Sequence, residues 1–433
     1  MEKIPCAGCS LLCDDLLIEK GKIDAEEVVG ACLKGKERFE QVNSENRILN
    51  PQKRRRGELQ SLSWDDAIKE SVKILRNSEN PLLYGFSNSS CEAQAKGIEL
   101  AREIDGFIDS NSTICQGRVL NAAKKKGLAL STITEMINKA DVLIFWGFNA
   151  AESIPRLLNK TLFSRGKFRM TGREIKTIII IDPVKTASYN VLGAKDVALQ
   201  IEAGKDLELI RALKEKCCQI SDFSNQGVAG LDEADMDRLL TNISNAENAT
   251  ILVGQGLLRP EKEETLLKEL LELVEIINLR QEKGRVSICL AGGHSNMFGF
   301  EHAALCLTGK NQSIQFKNKK IVQTKENILT KIEKEDFDCS IIVGTDPISH
   351  LPVQLSTKLA SEPMILIDSK ETASTMVANI ILPTALTGIE CEGTAIRLDH
   401  VPIALKKIVE PKSGVLSDKE VMEKIIQKLK EDE

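Results

Sequence analysis

The chain has 433 residues, of which 42% are hydrophobic and 28% charged, and its formal net charge is −5. This balance is ordinary for a globular protein and gives no electrostatic reason to expect nucleic acid or a membrane surface as a partner. No apolar run is long enough to cross a bilayer, and the N-terminus lacks the pattern of a signal peptide, so we expect a cytoplasmic protein of two or three domains. Twelve cysteines and only four histidines favour metal ligands and buried thiols over disulfides or a His-rich metallohydrolase.

The N-terminal stretch carries a cysteine motif: Cys6, Cys9 and Cys13 lie within eight residues, and Cys32 follows after a longer gap. A [4Fe–4S] cubane needs four thiolates around one cluster, whereas structural zinc sites usually use two short paired knuckles. The spacing therefore favours a cubane. Zinc, and free or disulfide-bonded cysteines, are the alternatives.

Further along, apolar runs alternate with amphipathic segments, which predicts an α/β protein with a mainly parallel sheet. A basic run at 53–57 indicates an exposed turn that serves as a solvated connector, and Ser63 is a plausible N-cap for the helix that follows it. The predicted strands are 82–86, 142–146, 177–181, 197–201, 251–253, 339–343, 364–367 and 379–382. The predicted helices are 91–104, 207–217, 261–275, 351–360 and 418–430.

An internal repeat is the second strong signal. Residues 141–149 match residues 338–346 position by position, and each copy runs on to a proline at the same offset. Each copy is then followed by a second apolar run and a similar turn, at 181–188 and at 367–374. The repeat predicts two related α/β halves.

Each half contains residues suited to a nucleotide. Gly147 and Gly344 end one predicted strand, where backbone can approach a ligand closely, and Asp182 and Asp368 end the next. Carboxylates at the carboxyl edge of a parallel sheet can bind a base or a ribose hydroxyl. The alternative is a pair of strand-end turns whose aspartates cap helices. The chain has no G-x-G-x-x-G fingerprint, so nothing points to NAD.

These features together resemble the molybdopterin-dependent oxidoreductases, and in particular the B subunits of formylmethanofuran dehydrogenases. The resemblance runs essentially from end to end, and its most similar C-terminal segments are 382–385 and 388–399. It implies that Cys6, Cys9, Cys13 and Cys32 bind a [4Fe–4S] cluster. It also implies two molybdopterin guanine dinucleotides, one in each half. The residues that it places at these cofactors are Lys34, Thr186 and Asp196. The two copies of the repeat supply the other candidates for cofactor binding, which are Gly147, Asn149, Asp182, Gly344, Asp346, Asp368 and Thr372.

The resemblance further implies a domain plan and partners. Residues 1–58, completed by roughly 380–433, would form the [4Fe–4S] domain. Residues 59–133 with roughly 277–379 would form one pterin domain, and residues 134–276 the other. Larger relatives add a C-terminal β-barrel that covers the pterins, and we expect a separate subunit to supply it here. An amidohydrolase-type subunit and polyferredoxin or ferredoxin-like subunits are the other partners implied.

Cys115 matches the position that binds tungsten or molybdenum in this family. A thiolate in a polar loop is a suitable ligand for such a metal, although a buried unreactive cysteine is the alternative. Two neighbours depart from the members that interconvert carbon dioxide and formate, because Gln116 and Gly292 stand where those members have His and Arg. His294 is a candidate to compensate for them, and a satisfied structural histidine is its alternative.

The resulting hypothesis is a catalytic subunit that reduces carbon dioxide to formate, or catalyses the reverse, with electrons arriving through the [4Fe–4S] cluster. Two alternatives follow from Gln116 and Gly292. One is a related oxidoreductase with another substrate, and the other is a non-catalytic electron-relay or structural subunit.

Overall fold

The computed structural model describes residues 1–19, 26–115, 117, 127–167, 172–218, 227–257 and 263–431. The chain divides into two compact units. The first comprises residues 1–117, 294–397 and 402–433, and the second comprises residues 118–293 and 398–401. Within the described ranges, no helix is both long and apolar enough to span a membrane.

The strands and helices follow one another as an α/β chain. The strands are β1 Glu2–Ile4, β2 Leu16–Ile18, β3 Gln52–Arg55, β4 Glu58–Ser61, β5 Pro81–Gly85, β6 Phe107–Ser110, β7 Val142–Trp146, β8 Thr177–Asp182, β9 Val197–Gln200, β10 Asn248–Val253, β11 Arg285–Leu290, β12 Ile314–Lys317, β13 Lys320–Val322, β14 Cys339–Val343, β15 Met364–Asp368, β16 Ile380–Pro383, β17 Gly393–Ile396 and β18 Pro402–Leu405. The helices are α1 Leu33–Glu40, α2 Trp64–Arg76, α3 Cys91–Glu103, α4 Ile133–Asn138, α5 Ala150–Ser153, α6 Pro155–Leu158, α7 Asp206–Cys218, α8 Glu233–Ser244, α9 Glu263–Arg280, α10 Met297–Thr308, α11 Ile328–Glu333, α12 Pro347–His350, α13 Val353–Ser361 and α14 Asp418–Glu431. Short 3-10 helices lie at Gln41–Asn43, Asn111–Ile114, Ala187–Val191, Gln255–Leu257, Ala373–Met376 and Lys412–Gly414, and a π-helical turn lies at Asn159–Phe163.

The sheet of the first unit has nine strands in the order β13-β12-β6-β5-β14-β15-β16-β3-β4. Its five central strands, β6 to β16 in that order, are parallel, and hairpins flank them on both edges with antiparallel pairing. The hairpin β3–β4 corrects the prediction of an exposed turn over 53–57. Most of that basic run lies in β3, and only Arg56 and Gly57, with φ values of 51° and 91°, form the turn. Positive φ at both positions is what a two-residue hairpin turn requires.

Helices cover both faces of this sheet, so its central strands are apolar throughout. Ile341 and Ile365 pack with α2, α3 and α14 in one core. Their neighbours Ile342 and Leu366 pack with α11 and α13 in the core of the opposite face. Successive strand residues point to opposite faces, and burial on both faces explains why the sequence shows continuous apolar runs and not alternation.

The sheet of the second unit has five strands in the order β11-β10-β7-β8-β9, and all of its pairs are parallel. This sheet confirms the prediction of parallel α/β architecture for the middle of the chain.

The repeat is confirmed as a structural repeat. In the second unit β7 leads through Gly147 and the short helices α5 and α6 to β8, and in the first unit β14 leads through Gly344, α12 and α13 to β15. The two glycines adopt nearly the same left-handed backbone conformation, with φ of 56° and 58°. Each backbone N–H donates to a carbonyl of the neighbouring strand at 2.9 Å, from Gly147 to Ile181 and from Gly344 to Ile367. Two copies of one strand–turn–strand geometry therefore exist, one in each unit.

The N-terminal segment packs against a hairpin near the C-terminus. Ala7 and Leu12, in the cysteine loop, share a small apolar cluster with Ala395 of β17 and Leu405 of β18. This contact joins the two segments that the sequence assigns to one domain, although the predicted boundaries themselves remain predictions.

Candidate cofactor and active site

The N-terminal cysteines lie on a tight, buried loop. The backbone N–H of Cys6 donates to the carbonyl of Cys13 at 2.8 Å, and that of Leu12 donates to Cys9 at 3.1 Å, which closes the loop on itself. Cys6, Cys9 and Cys13 are buried, and Cys32, which immediately precedes α1, is partly exposed. The loop brings the three cysteines of the motif together within the first unit.

Three other thiols lie within electrostatic reach of Cys6. Burial raises the pKa of Cys6 to about 12, and negative charge on Cys13, Cys9 and Cys32 adds to the rise. The backbone also passes close to the sulfur, since a side-chain carbon on Gly35 would lie 3.3 Å from Cys6 Sγ. Across the described ranges, no three His, Cys, Asp or Glu side chains converge tightly enough to hold a single metal ion. Cys9, Cys13 and Cys32 are thus neighbours of Cys6 in the fold.

Cys115 follows β6 in a loop whose shape is held by serines. The Ser110 hydroxyl accepts from the Ser112 N–H at 3.3 Å, and the Ser112 carbonyl accepts from the Cys115 N–H at 2.9 Å. Cys115 itself is partly exposed. Gln116 lies outside the described residues, so the structure does not bear on its predicted role. Gly292 follows β11 in the second unit.

A chain of side-chain hydrogen bonds joins His294 to the loop before Cys115. His294 Nδ1 lies 2.6 Å from the Ser87 hydroxyl, which donates to Asn111 Oδ1 at 2.7 Å. The Asn111 amide donates to the Tyr84 hydroxyl at 3.2 Å, and that hydroxyl lies 3.3 Å from Nε2 of His350. We refer to these five residues as the His294 network.

The electrostatics of the His294 network tie it to two predicted site residues. Burial lowers the pKa of His294 to about 4, helped by positive charge on His350 and Lys34. Burial raises the pKa of Tyr84, and negative charge on Asp109 and Cys115 adds to that rise. Both side chains are therefore neutral near pH 7. Lys34 and Cys115 thus both lie near the His294 network in the first unit.

Sequence reasoning did not single out Tyr84, Ser87, Asn111 or His350. Two signals were available, because Tyr84 is one of only two tyrosines in the chain and His350 one of four histidines. The strand-end serine and asparagine carried no signal, since such residues are common in turns.

In the second unit the repeated turn is built around Asn149. The Ser188 hydroxyl donates to Asn149 Oδ1 at 3.1 Å and accepts from the Ala151 N–H at 3.2 Å. The buried hydroxyls of Thr186 and Tyr189 have no hydrogen-bond partner among the described residues. Asp182 is buried at the end of β8 and accepts from a nearby backbone N–H.

In the first unit Asp346 takes the place of Asn149. Its carboxylate accepts from the backbone N–H groups of Ala373 and Ser374, at 3.1 and 2.9 Å, and from the Ser374 hydroxyl at 2.5 Å. Asp346 is thus a capping carboxylate for the 3-10 helix 373–376. Thr372 repeats the position of Thr186, and its buried hydroxyl also lacks a hydrogen-bond partner within the described part of the chain. Burial raises the pKa of Asp368 to about 6.

Backbone hydrogen bonds and an ion pair hold the carboxylate of Asp196 in place. Its carboxylate accepts from the backbone N–H groups of Ile178 at 2.9 Å and Gly193 at 2.6 Å, and it is ion-paired with Arg173. These contacts fix the start of β9 against β8. The predicted role of Asp196 at a cofactor stays a prediction.

Comparison with known proteins places the chain in a family. The model of the molybdopterin oxidoreductase family matches residues 47–428. The B subunit of the tungsten-containing formylmethanofuran dehydrogenase 2 of Methanocaldococcus jannaschii is 31% identical over 100% of this chain and 99% of the relative. Its counterpart from Methanococcus maripaludis is 29% identical, with 99% of both chains covered.

Solved structures show the same fold at lower identity. A chain of the formyltransferase/hydrolase complex of Methylorubrum extorquens, solved with methylofuran, matches with a TM-score of 0.68 and 17% identity, covering 86% of this chain and 97% of that one. Acetylene hydratase of Pelobacter acetylenicus matches with a TM-score of 0.70 and 13% identity, covering 99% of this chain and 69% of that enzyme.

The chain therefore belongs to the molybdopterin oxidoreductase family. Within that family it is a full-length relative of the B subunits of tungsten-containing formylmethanofuran dehydrogenases, which confirms the resemblance seen in the sequence. Membership supports a pterin with tungsten or molybdenum as the cofactor class.

Proposed function

We propose that this chain is the pterin-binding subunit of a formylmethanofuran dehydrogenase-like complex, and that it reduces carbon dioxide to formate or catalyses the reverse. The observation that carries the proposal is the duplicated site. Both units present the same strand, left-handed glycine and second strand, followed by a threonine, Thr186 or Thr372, whose buried hydroxyl has no partner among the described residues. An unpaired buried hydroxyl is costly, so two at matching positions favour two similar polar ligands.

Two guanine dinucleotides fit this duplication, one in each unit. A molecule bound beside Thr186 or Thr372 would satisfy that hydroxyl, and the capped turns at Asn149 and Asp346 would hold the backbone that faces it. Asp182 and Asp368 end the second strand of each copy, where a base or ribose would bind. The bound pterins would supply the metal centre at which the redox chemistry takes place.

The N-terminal cysteines fit a [4Fe–4S] cluster better than a zinc ion. Each cysteine of a cubane binds a different iron, so its thiolates lie further apart than the ligands of one ion. Charge on Cys9, Cys13 and Cys32 raises the pKa of Cys6, so the four residues are close enough to support their assignment to one cluster. Lys34, two residues after Cys32, would then lie on the path of electrons towards the pterins.

Cys115 would supply the thiolate ligand of tungsten or molybdenum. His294 is neutral near pH 7, so it can hydrogen bond to a bound substrate without adding a positive charge. The Ser87 hydroxyl fixes its ring through Nδ1. Gln116 can donate and accept hydrogen bonds but cannot titrate, so proton transfer would fall to another group.

The domain plan and partners are part of the proposal. A [4Fe–4S] domain of residues 1–58 with roughly 380–433 is supported by the packing of the cysteine loop on β17 and β18. The chain covers 99% of the length of two relatives that are named as subunits, which supports the proposal that it functions in a complex. We infer a separate barrel subunit over the pterins, an amidohydrolase-type subunit and a ferredoxin-like electron carrier as partners.

Gln116 and Gly292 favour a second candidate, an oxidoreductase that keeps these cofactors and acts on another substrate, or a subunit that only relays electrons. Viologen-linked formate oxidation by the anaerobically purified complex separates the candidates. We expect activity in the wild type, its loss in Cys115→Ser, and no change in Cys306→Ser, a matched control at an exposed cysteine. A metal-loaded complex without formate activity would favour the second candidate, and full activity in Cys115→Ser would remove Cys115 as the metal ligand.

A further inference from the structure

Helix α10 buries a carboxylic acid that the proposed function does not use. Glu301 is 1% exposed, and neither of its carboxylate oxygens has a hydrogen-bond partner among the described residues. Burying a carboxylate without hydrogen bonds or a counter-charge is strongly unfavourable, so such a group either binds a proton or finds a cation.

Glu301 lies beside the segment that carries Cys115. A side-chain carbon on Gly117 would lie 2.9 Å from Glu301 Oε1, 2.8 Å from Gln312 Oε1 and 2.8 Å from the Ser112 carbonyl. The same Ser112 carbonyl accepts from the Cys115 N–H. The Gln312 oxygen also has no partner in the described part of the chain. Three oxygens thus surround one point, and two of them, Glu301 Oε1 and Gln312 Oε1, have no hydrogen-bond partner among the described residues.

Among the residues that the structure describes, no charged group offsets the burial of Glu301. Of the elements packed on α10, the 3-10 helix 111–114 and β17 carry no ionisable side chain, and α10 itself adds His302 and Cys306. Burial raises the pKa of Glu301 to about 8, and the nearby Ser112 hydroxyl counters this only in part.

The ionisable residues of α3, the third element packed on α10, are engaged elsewhere. Glu92 accepts from Thr394, Lys96 pairs with Glu99, Arg102 lies over the Phe316 ring, Glu103 pairs with Lys319, and Cys91 contacts Asn296.

We propose that Glu301 is the proton-exchanging residue beneath the Cys115 loop, and that it supplies the proton consumed in the reaction of that site. The proposal rests on the proposed function. Reduction of carbon dioxide to formate takes up two electrons and one proton. The electrons come from a reduced iron–sulfur donor, and the proton comes from the O–H bond of Glu301, which leaves a carboxylate that solvent reprotonates. Oxidation of formate reverses each transfer.

Infrared spectroscopy of the purified full-length protein tests the protonation directly, whether or not the protein is active. We expect a protonated-carboxyl band that loses intensity between pH 7 and 9, about the pKa of Glu301. The band should be absent in Glu301→Gln and unchanged in Glu99→Gln, a control on α3. A carboxyl that is ionised at every pH, with or without an added alkali-metal cation, would overturn the proposal.

Kinetics then separates this proposal from the proposed function. We expect Glu301→Gln to lower kcat for formate oxidation by about 10²-fold with KM unchanged, to flatten the pH profile, and to keep its iron, tungsten or molybdenum, while Glu301→Asp restores part of the rate. Wild-type kcat and pH profile in Glu301→Gln would overturn the role of Glu301. Absence of formate oxidation in the loaded wild type would reject the substrate while the infrared band still reports on the carboxyl.

Discussion

At the scale of single residues, several buried polar groups have properties that the fold alone does not require. A hydroxyl or carboxyl that is buried without a partner lowers stability, so its persistence indicates a ligand or a proton. Glu301, Thr186 and Thr372 are groups of this kind. Thr375 and Glu92, residues of the same types that are hydrogen-bonded, provide controls for Thr372 and Glu301.

Glu301 should make stability depend on pH. Its raised pKa means that between about pH 4.5 and pH 8 the folded protein holds a proton that the unfolded chain has released. Stability therefore falls as pH rises through this window, by roughly 1.4 kcal/mol for each unit of pKa difference, and levels off above it. We therefore expect the denaturation midpoint of Glu301→Gln, measured relative to that of the wild type, to increase from pH 5 to pH 8.

Glu92→Gln is the matched control for that measurement. The Glu92 carboxylate accepts from Thr394, and its pKa is lowered, so its contribution to stability changes only in more acidic solution. A constant difference between Glu301→Gln and the wild type across pH 5 to 8 would show that Glu301 is ionised in the folded protein.

Thr372, whose buried hydroxyl has no hydrogen-bond partner among the described residues, provides a second prediction. Thr372→Val removes a hydroxyl that has no partner among the described residues, so we expect the cofactor-free protein to lose no stability and the guanine nucleotide content of the loaded protein to fall. Thr375→Val is the control, because that hydroxyl donates to the Thr372 carbonyl at 2.6 Å. We expect it to cost about 1 kcal/mol in a denaturant titration and to leave the nucleotide content unchanged. The reverse pattern would exclude Thr372 from the nucleotide site.

At the scale of elements, the two copies of the repeat share a backbone but differ in their surroundings. A side-chain carbon on Gly147 would lie 2.4 Å from the backbone N of Leu257. On Gly344 the nearest described heavy atom would be Ser89 Oγ, at 3.8 Å. The same left-handed turn is therefore closed over by backbone in one unit and open in the other.

This difference predicts unequal effects of one substitution. Gly344→Ala should cost only the backbone strain of a left-handed alanine, about 1–2 kcal/mol. Gly147→Ala carries the same strain and a clash with the main chain, so we expect a clearly larger loss of stability. Denaturant titration of both variants measures it. Equal losses would mean that the segment at 256–257 moves aside without cost.

The sequence predicted the central elements because periodicity and burial acted together there. β7 and β14 match their predicted ranges, and Ser63 caps α2 by accepting from the Asp66 N–H at 3.1 Å. Strands β6 and β12 were among those missed. β6 is short and ends in polar residues, and β12 alternates apolar and polar residues in the antiparallel part of the sheet. The prediction of an exposed turn over 53–57 was wrong for most of that run, because only Arg56 and Gly57 form the turn and the rest lies in β3.

The sequence could suggest candidate residues where their type and spacing indicate a chemistry, as with the closely spaced cysteines and the duplicated strand-end residues. It could not suggest residues whose interest depends on their surroundings in the folded protein. Glu301 is such a residue, because its importance comes from burial without a partner, and a glutamate inside an amphipathic helix is normally at the surface. The ion pair between Asp196 and Arg173 is also a matter of position, and the sequence did not predict it.

At the scale of the whole molecule, each unit contributes one copy of the duplicated site, and the first unit also contributes the N-terminal cysteines and Cys115. A chain with two nucleotide sites, one thiolate for a metal and four for a cluster would be a complete electron path to one reaction centre. Its central claim is the cofactor set, because the substrate, Glu301 and the partners all depend on it.

Cofactor analysis of the anaerobically isolated full-length protein tests that claim most directly. We predict about four irons, about one tungsten or molybdenum and about two acid-released guanine nucleotides per chain. Folded protein that contains neither tungsten nor molybdenum, or that holds zinc in place of iron, would contradict the account.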